Sequence, residues 1–237
     1  ADKSFGVYSL SSTGSVTTTG TSSLNVADQA IGIYKKGGSV NLGGTVNVAS
    51  HTAPGLNTEP VAVYATGGVN VNDTTSNFNV GDKSYGVILN NTGAVANTYV
   101  NSVASNITLG NESTFVYSDG NASIVNNGNI NGLSNDGITA FYVKNGGEFV
   151  NNGRVDLSQG KGNLGALVTG AGSRAINNTS GVMNVGRTNS DDPNNIIYGI
   201  GIAAVNGAYS ENRGNITVAG NNAIGMYGDG NGTVMKN

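Results

Sequence analysis

One five-residue phrase recurs along the chain and limits its fold more than any other feature. The phrase alternates small and hydrophobic residues and closes on an aromatic. It reads Ser4-Phe5-Gly6-Val7-Tyr8, Ala30-Ile31-Gly32-Ile33-Tyr34, Pro60-Val61-Ala62-Val63-Tyr64 and Ser84-Tyr85-Gly86-Val87-Ile88. It weakens over 113–117, 138–142 and 164–168, then returns at Gly199-Ile200-Gly201-Ile202-Ala203 and Ala223-Ile224-Gly225-Met226-Tyr227. The closing residues stand at 8, 34, 64, 88, 117, 142, 168, 203 and 227. Nine copies at a period of about 27 residues mark a repeat architecture.

Within each copy the phrase is followed by a Gly-rich break such as Lys36-Gly37-Gly38 or Asn145-Gly146-Gly147. A second alternating stretch comes next (Ser39-Val40-Asn41-Leu42, Glu148-Phe149-Val150-Asn151), then another break and a third (Thr45-Val46-Asn47-Val48, Arg154-Val155-Asp156-Leu157). Val- and Ile-rich alternation of period two, bounded by Gly and Asn, is a strand signal, and no helical spacing is sustained. The chain reads as all-β, with three short strands per repeat. Asn-Gly between strands is also the strongest hairpin signal, so an antiparallel meander is a rival. Two arguments favour a coil. The alternation is kept between repeats, so equivalent residues can stack at about 4.8 Å. The strands are also too short to pair stably with a neighbour, whereas stacking on their own copies buries a continuous interior. A propeller blade wants a longer period. A parallel β-helix (β-solenoid) of about nine coils follows.

Alternation then predicts Phe5, Val7, Ile31, Ile33, Val61, Val63, Tyr85, Val87, Ile200, Ile202, Ile224 and Met226 facing inward. Val40, Val46, Val48, Val125, Val150 and Val155 join them from the other faces. Gly6, Gly32, Ala62, Gly86, Ala140, Ala166, Gly201 and Gly225 are expected outward, and Lys35 in a turn, where Lys35→Asp would be silent while Ile33→Asp would not. Asn97, Asn127, Asn152, Asn178, Asn212 and Asn237 are expected to share one corner slot and hydrogen-bond to their copies.

Composition excludes several classes. Glycine contributes 38 of 237 residues without a three-residue period, so collagen is excluded. With no Cys, neither disulfides nor thiolate metal sites hold the fold. A net charge of −3 and scattered cations argue against nucleic acid as partner. No apolar run is long enough for a helical membrane span. Low charge with 37% hydrophobic residues is not the signature of disorder.

The stretches from Ala30 (AIGIY…GGSVNLGGTVNV) and from Phe149 (FVNNGRVDLSQG) resemble passenger repeats of large type V autotransporter adhesins of Gram-negative bacteria, of the fusobacterial type. The resemblance covers essentially the whole chain. It implies a right-handed, single-stranded parallel β-helix, secreted and displayed at the cell surface, and a partner that is a host or bacterial surface protein or glycan. On it, residues 1–237 are expected to form one segment of a longer passenger, monomeric, held to the membrane only through a C-terminal barrel outside this sequence. No binding residues carry over, because the pattern defines none.

Candidate sites come from the residues themselves. Tyr8, Tyr34, Tyr64, Tyr117, Tyr142 and Tyr227 hold six of the nine closing positions; outward, they form a column that either covers neighbouring coils or meets a ligand. The longest repeats place inserts near 48–59, 97–106 and 186–195, the first and last holding or adjoining His51, Pro54, Pro60, Pro193, Asp191 and Asp192. Excursions from a rigid scaffold are where recognition often lives. Adjacent Asp191 and Asp192 could offer oxygens to calcium, but strand-like backbone points them apart and no calcium-loop spacing is present; no metal or other cofactor is expected. His51 has no acid or nucleophile near it in sequence and is expected to be exposed. The Gly199–Ala204 match to a dinucleotide fingerprint lies inside a strand rather than before a helix. Glycosidase chemistry needs two carboxylates at fixed separation, and the one strand acid, Asp156, faces Asn131 and Met183 in the repeat alignment. A non-catalytic adhesive or stalk segment is therefore expected, with a polysaccharide-cleaving β-helix as the alternative.

Overall fold

A computed structural model describes residues 4–53 and 58–237; Ala1 and Pro54 lie outside them. The chain is a right-handed parallel β-helix of about nine coils, and no helix occurs among the described residues. Strands recur on three faces. The first face holds Ser4–Ser9, Tyr85–Asn91 and Thr114–Gly120, the second Asn97–Asn101 and Ala122–Asn126, the third Thr45–Val48 and Asn106–Leu109. Ala30–Leu42 and Val61–Asp73 continue around the corner from first face to second, merging these into one sheet beside the eight-stranded third face. Every strand pairs in parallel with its copy one coil away. The hairpin rival fails because Asn-Gly turns a corner here instead of reversing the chain. Asn145-Gly146 and Asn206-Gly207 carry positive φ at both residues, the backbone signs of a type I′ turn, yet lead on to the second face.

The register runs Tyr8, Tyr34, Tyr64, Ile88, Tyr117, Tyr142, Leu167, Ala203, Tyr227. Eight of these nine are the closing positions of the sequence repeat; Leu167 replaces Val168.

Which side chains enter the interior differs from simple alternation. Ile33, Val63, Val87 and Ile202 are buried in one column as expected, and the same column holds Val116, Phe141 and Ala166, the last assigned outward from sequence. The residue before them is also inward. A Cβ on Gly32 would lie 2.7 Å from Val26 Cγ2 and 3.3 Å from Leu24 Cδ2, and one on Gly201 2.8 Å from Ile216 Cγ2, all side chains of the third face. In this slot the fifth coil places fully buried Phe115, which meets Phe78 and Tyr99 edge-on. Two successive inward residues mean a bulge, and the Cα register skips this position from coil to coil. Gly32 and Gly201 are thus small because the third face presses on them, whereas a Cβ on Gly86 would meet Phe115 of the next coil at 2.7 Å. The bulge turns Phe5, Tyr85 and Ile224 to the outer side, where Phe5 and Tyr85 touch the tyrosine row, while Ile31, Val61 and Ile200 are buried as expected, outside the main core cluster. Val7, in an inward column, is exposed because no described coil lies beneath it.

Lys35 is another correction. It sits in a strand, is fully buried, and its ammonium donates to the Ser11 carbonyl. Val125 and Val150 are half-exposed, while Ile124, Phe149, Asn126 and Asn151 point in. The reason is a buried amide column. Asn101, Asn126, Asn151, Asn177 and Asn212 each donate Nδ2–H to Oδ1 of the next, ending on Asn237, at 2.7–2.9 Å. An amide that both donates and accepts is satisfied by its own copies, so the inward rule that excludes polar groups does not apply. Asn127, Asn152 and Asn178, assigned to this slot from sequence, form a second, half-exposed ladder one residue on. Asn97 lies elsewhere, buried and accepting from the Gly68 and Val69 N–H groups.

The long excursions share an edge. Residues 49–53 and 186–199 both leave the corner between third and first faces, after the third-face strands of the second and seventh coils, and 58–60 lead into the third coil. The segment 97–106 opens instead with the strand Asn97–Asn101; the added residues flank that strand, at 92–96 and 102–105.

Candidate functional site

The tyrosine row stands on the outside of the first face, as the alternation of the strand after the bulge requires. Tyr8, Tyr34 and Tyr64 stack nearly parallel, with centroids 4.9 and 5.5 Å apart and interplanar angles of 15° and 14°. Ile88 then interrupts the row. Tyr117 meets Tyr142 edge-to-face at 5.3 Å and 85°, and Tyr85 meets Tyr117 at 6.2 Å and 79°. Tyr227 is 39% exposed, one coil beyond Ala203. Parallel stacking hides the faces of the rings between coils, leaving edges and hydroxyls outward; edge-to-face packing leaves a face uncovered.

Polar groups run beside the rings. Asn90 Nδ2–H donates to Tyr64 Oη at 3.0 Å. Lys144 Nζ lies 5.4 Å over the Tyr117 ring and 3.0 Å from Asp119, which also accepts from Asn145. These bonds hold the Asp119 carboxyl below its ordinary value against the opposing effect of burial, and the Tyr117 hydroxyl and Asp119 push Lys144 up. The Tyr85 hydroxyl is held above its ordinary value by burial and then by Glu59, a residue of the 49–60 excursion. Glu59 therefore stands beside Tyr85, at the fourth coil.

His51 is paired rather than exposed. Its Nδ1 lies 2.8 Å from Asp28 Oδ1, and Asp28 Oδ2 accepts from the Thr52 hydroxyl at 2.7 Å and the Thr52 N–H at 3.0 Å. The partner is 23 residues away in sequence and one coil away in space. A signal was present: Val26-Ala27-Asp28 and Val48-Ala49-Ser50-His51 both leave the third face, so the repeat itself superposes the acid and the imidazole. The Thr52 hydroxyl first, and His51 next, hold the Asp28 carboxyl at about 2. Because the folded value lies below the unfolded one of about 3.9, the stabilisation is complete above about pH 4 and is lost as pH falls through the folded value. A carbon-detected NMR titration should show Asp28 protonating near pH 2; a midpoint at 3.8, the ordinary value, would mean that the contact is absent.

Asp191 and Asp192 do not converge. Asp191 pairs with Lys161 Nζ at 2.6 Å, and Asp192 accepts the Asn194 N–H at 2.9 Å. Among the described residues no group of three or more His, Cys, Asp or Glu could hold a metal ion. Asp156 stands across from Asn131 and Asn184, not Met183, and is engaged by Arg154 and the Ser158 hydroxyl. Its in-register neighbours are amides, so no second carboxylate faces it from either adjacent coil. The structure thus brings together the tyrosines, Asp119, Lys144 and Glu59, and leaves Asp191 and Asp192 on a separate loop.

Residues 97–237, more than half of the chain, match a family model described as BigA third pectate lyase-like domain. No curated protein and no solved structure matches the chain.

Proposed function

The chain belongs to the family of the BigA third pectate lyase-like domain, and from that premise we propose that it is a non-catalytic, surface-displayed segment of a secreted bacterial autotransporter adhesin. The segment supports attachment to host or microbial partners, as a monomer, with the outer membrane reached through parts of such proteins beyond this sequence. On this reading the segment is of the fusobacterial type and acts without catalysis. The observation that supports it best is the disposition of the polar groups. The strand acid Asp156 is tied to Arg154 and Ser158, Asp119 to Lys144 and Asn145, Asp28 to His51 and Thr52, and the buried asparagines to one another. A hydrolase would keep a pair of carboxylates free across a cleft. Asp156 is instead occupied within its own coil, and the other groups fasten coil to coil, which is what a rod under load at a cell surface needs.

Cell-attachment assays test the reading. The purified chain should bind target cells and release neither reducing ends nor unsaturated sugars from polysaccharides. Release of either would establish the enzymatic alternative. Removing 186–195 is expected to reduce attachment if that excursion presents the contact; full attachment without it would make this loop a bystander.

A further inference from the structure

We propose that the excursion 186–199 carries an edge strand, Ile196-Ile197-Tyr198, that captures an extended peptide segment of a partner protein as one further strand. The inference rests on the adhesin reading and names the partner class. The excursion folds back on itself as a short antiparallel ribbon, in which Asn189 and Ile197 exchange both backbone hydrogen bonds, at 2.8 and 2.9 Å. Its base is clamped between coils. The Gly162 N–H donates to the Arg187 carbonyl at 2.9 Å, the Thr188 N–H to the Asn221 carbonyl at 3.1 Å, and the Thr188 hydroxyl to the Asn222 carbonyl at 2.7 Å. The Ile197 side chain rests on Gly162, where a Cβ would lie 3.0 Å from Ile197 Cγ2. The ribbon is thus a ledge fixed to the side of the rod.

Three observations say what the ledge takes. In an antiparallel pair, the residues flanking a hydrogen-bonded one point their N–H and C=O groups away from the partner strand. For Ile196 and Tyr198 that side is open, because among the described residues nothing bonds the N–H or C=O of either. Two donors and two acceptors, repeating every two residues at about 6.7 Å, match the backbone of another strand and call for β-augmentation. The side chains agree. Ile196 and Tyr198 are 45% and 47% exposed and, by alternation, lie opposite Ile197. Such β-branched and aromatic residues suit strand pairing, and no lysine or proline blocks this edge. Charge is the third. At the ribbon's tip Asp191 is paired with Lys161 at 2.6 Å, whereas Asp192 accepts the Asn194 N–H and meets no cation among the described residues. The occupant is therefore an extended segment with apolar residues at alternate positions and a Lys or Arg that reaches the tip.

Titration of the intact chain with a synthetic peptide of alternating Val and Thr between terminal lysines, followed by amide NMR and hydrogen exchange, tests the proposal. Binding should slow exchange of the Ile196 and Tyr198 amides and leave the Ile197 amide, already bonded, little changed. The same peptide N-methylated throughout should not bind. Tyr198→Pro removes an open donor without breaking a bond of the fold; it should weaken the peptide roughly tenfold and lower cell attachment at an unchanged melting temperature. Tyr198→Thr keeps the N–H and should stay within about threefold of the parent. Asp192→Lys should weaken the lysine-flanked peptide at low salt, with the difference shrinking as salt is added. Protease treatment of target cells should abolish attachment, and periodate oxidation of their glycans should not. Equal binding of the N-methylated peptide, or unchanged exchange at Ile196 and Tyr198, would overturn the strand capture. Attachment sensitive to periodate but not to protease would make the partner a glycan, and a dimer in sedimentation that Tyr198→Pro dissolves would make it a second copy. Either would overturn this inference and leave the adhesin reading standing; no attachment by the parent chain would remove that reading, and this inference with it.

Discussion

Lys35→Asp is expected to destabilise the N-terminal coils by several kcal/mol, on a par with Ile33→Asp, although the two positions look opposite in sequence. Lys35 is fully buried between Ser9 and Ala65 of the adjacent coils, and its ammonium is held by the Ser11 carbonyl oxygen. A carboxylate in its place would face that oxygen with no donor. Lys35→Met keeps the stem and should cost only about 1–2 kcal/mol, the loss of one charged hydrogen bond offset by the desolvation no longer required. Ile33→Asp removes a buried side chain, for about 2–5 kcal/mol by truncation alone, and adds a charge. Lys35 shares that interior face two residues on and can offset part of it. Combining Ile33→Asp with Lys35→Met should therefore exceed the sum of the single costs. Each coil of a solenoid touches only its neighbours, so the damage should appear as accelerated hydrogen exchange in the first two or three coils, with the central coils protected. A silent Lys35→Asp would mean that the side chain points to solvent.

What the sequence made legible follows from what a repeat can encode. Period, strand number and the closing tyrosines are local patterns, and local patterns survive without coordinates. Three features did not. The bulge at Gly32 and its equivalents adds one residue to the alternation, and a two-residue period read without it assigns the glycines outward and Phe5 and Tyr85 inward. The amide column is polar yet interior, so any rule that sends Asn outward places Val125 and Val150 inside in error. The His51–Asp28 contact and the shared edge of the two excursions are properties of stacking, visible only when coils are superposed. The tyrosine row was legible as a set of positions; its division into a stacked part and an edge-to-face part was not, because ring orientation depends on what interrupts the column, here Ile88.

Asn151→Leu should cost about 3–5 kcal/mol, from two buried amide groups left unpaired at about 1–3 kcal/mol each, while Asn152→Leu should cost about 1 kcal/mol or less. Asn151 is fully buried, accepts from Asn126 at 2.7 Å and donates to Asn177 at 2.8 Å. Leucine keeps the branched shape at Cγ, but its methyl groups are bulkier than the amide, so some crowding adds to the loss of the hydrogen bonds. Asn152 makes an equivalent pair of bonds at 3.0 and 3.1 Å, but its ladder is half-exposed and water can replace them. The neighbouring residues thus form a matched pair that separates ladder register from general loss of asparagine. Equal melting shifts for the two would show that the inner column is not what holds the coils. Asn151→Asp sharpens the point. A carboxylate still accepts from Asn126 but has no hydrogen for Asn177, and burial would raise its pKa. A group with a raised folded pKa contributes its stability below the unfolded value and loses it as pH rises, so this variant should gain stability on acidification. The chain already carries the natural contrast one coil below Asn101. Asp73 occupies the same column buried, its carboxyl pushed up by burial, but it accepts from the Tyr99 hydroxyl at 2.7 Å and from the Thr75 hydroxyl and N–H at 2.7 and 2.9 Å. An acid is tolerated in the column where donors converge on it, and Asn151 is surrounded by no such set.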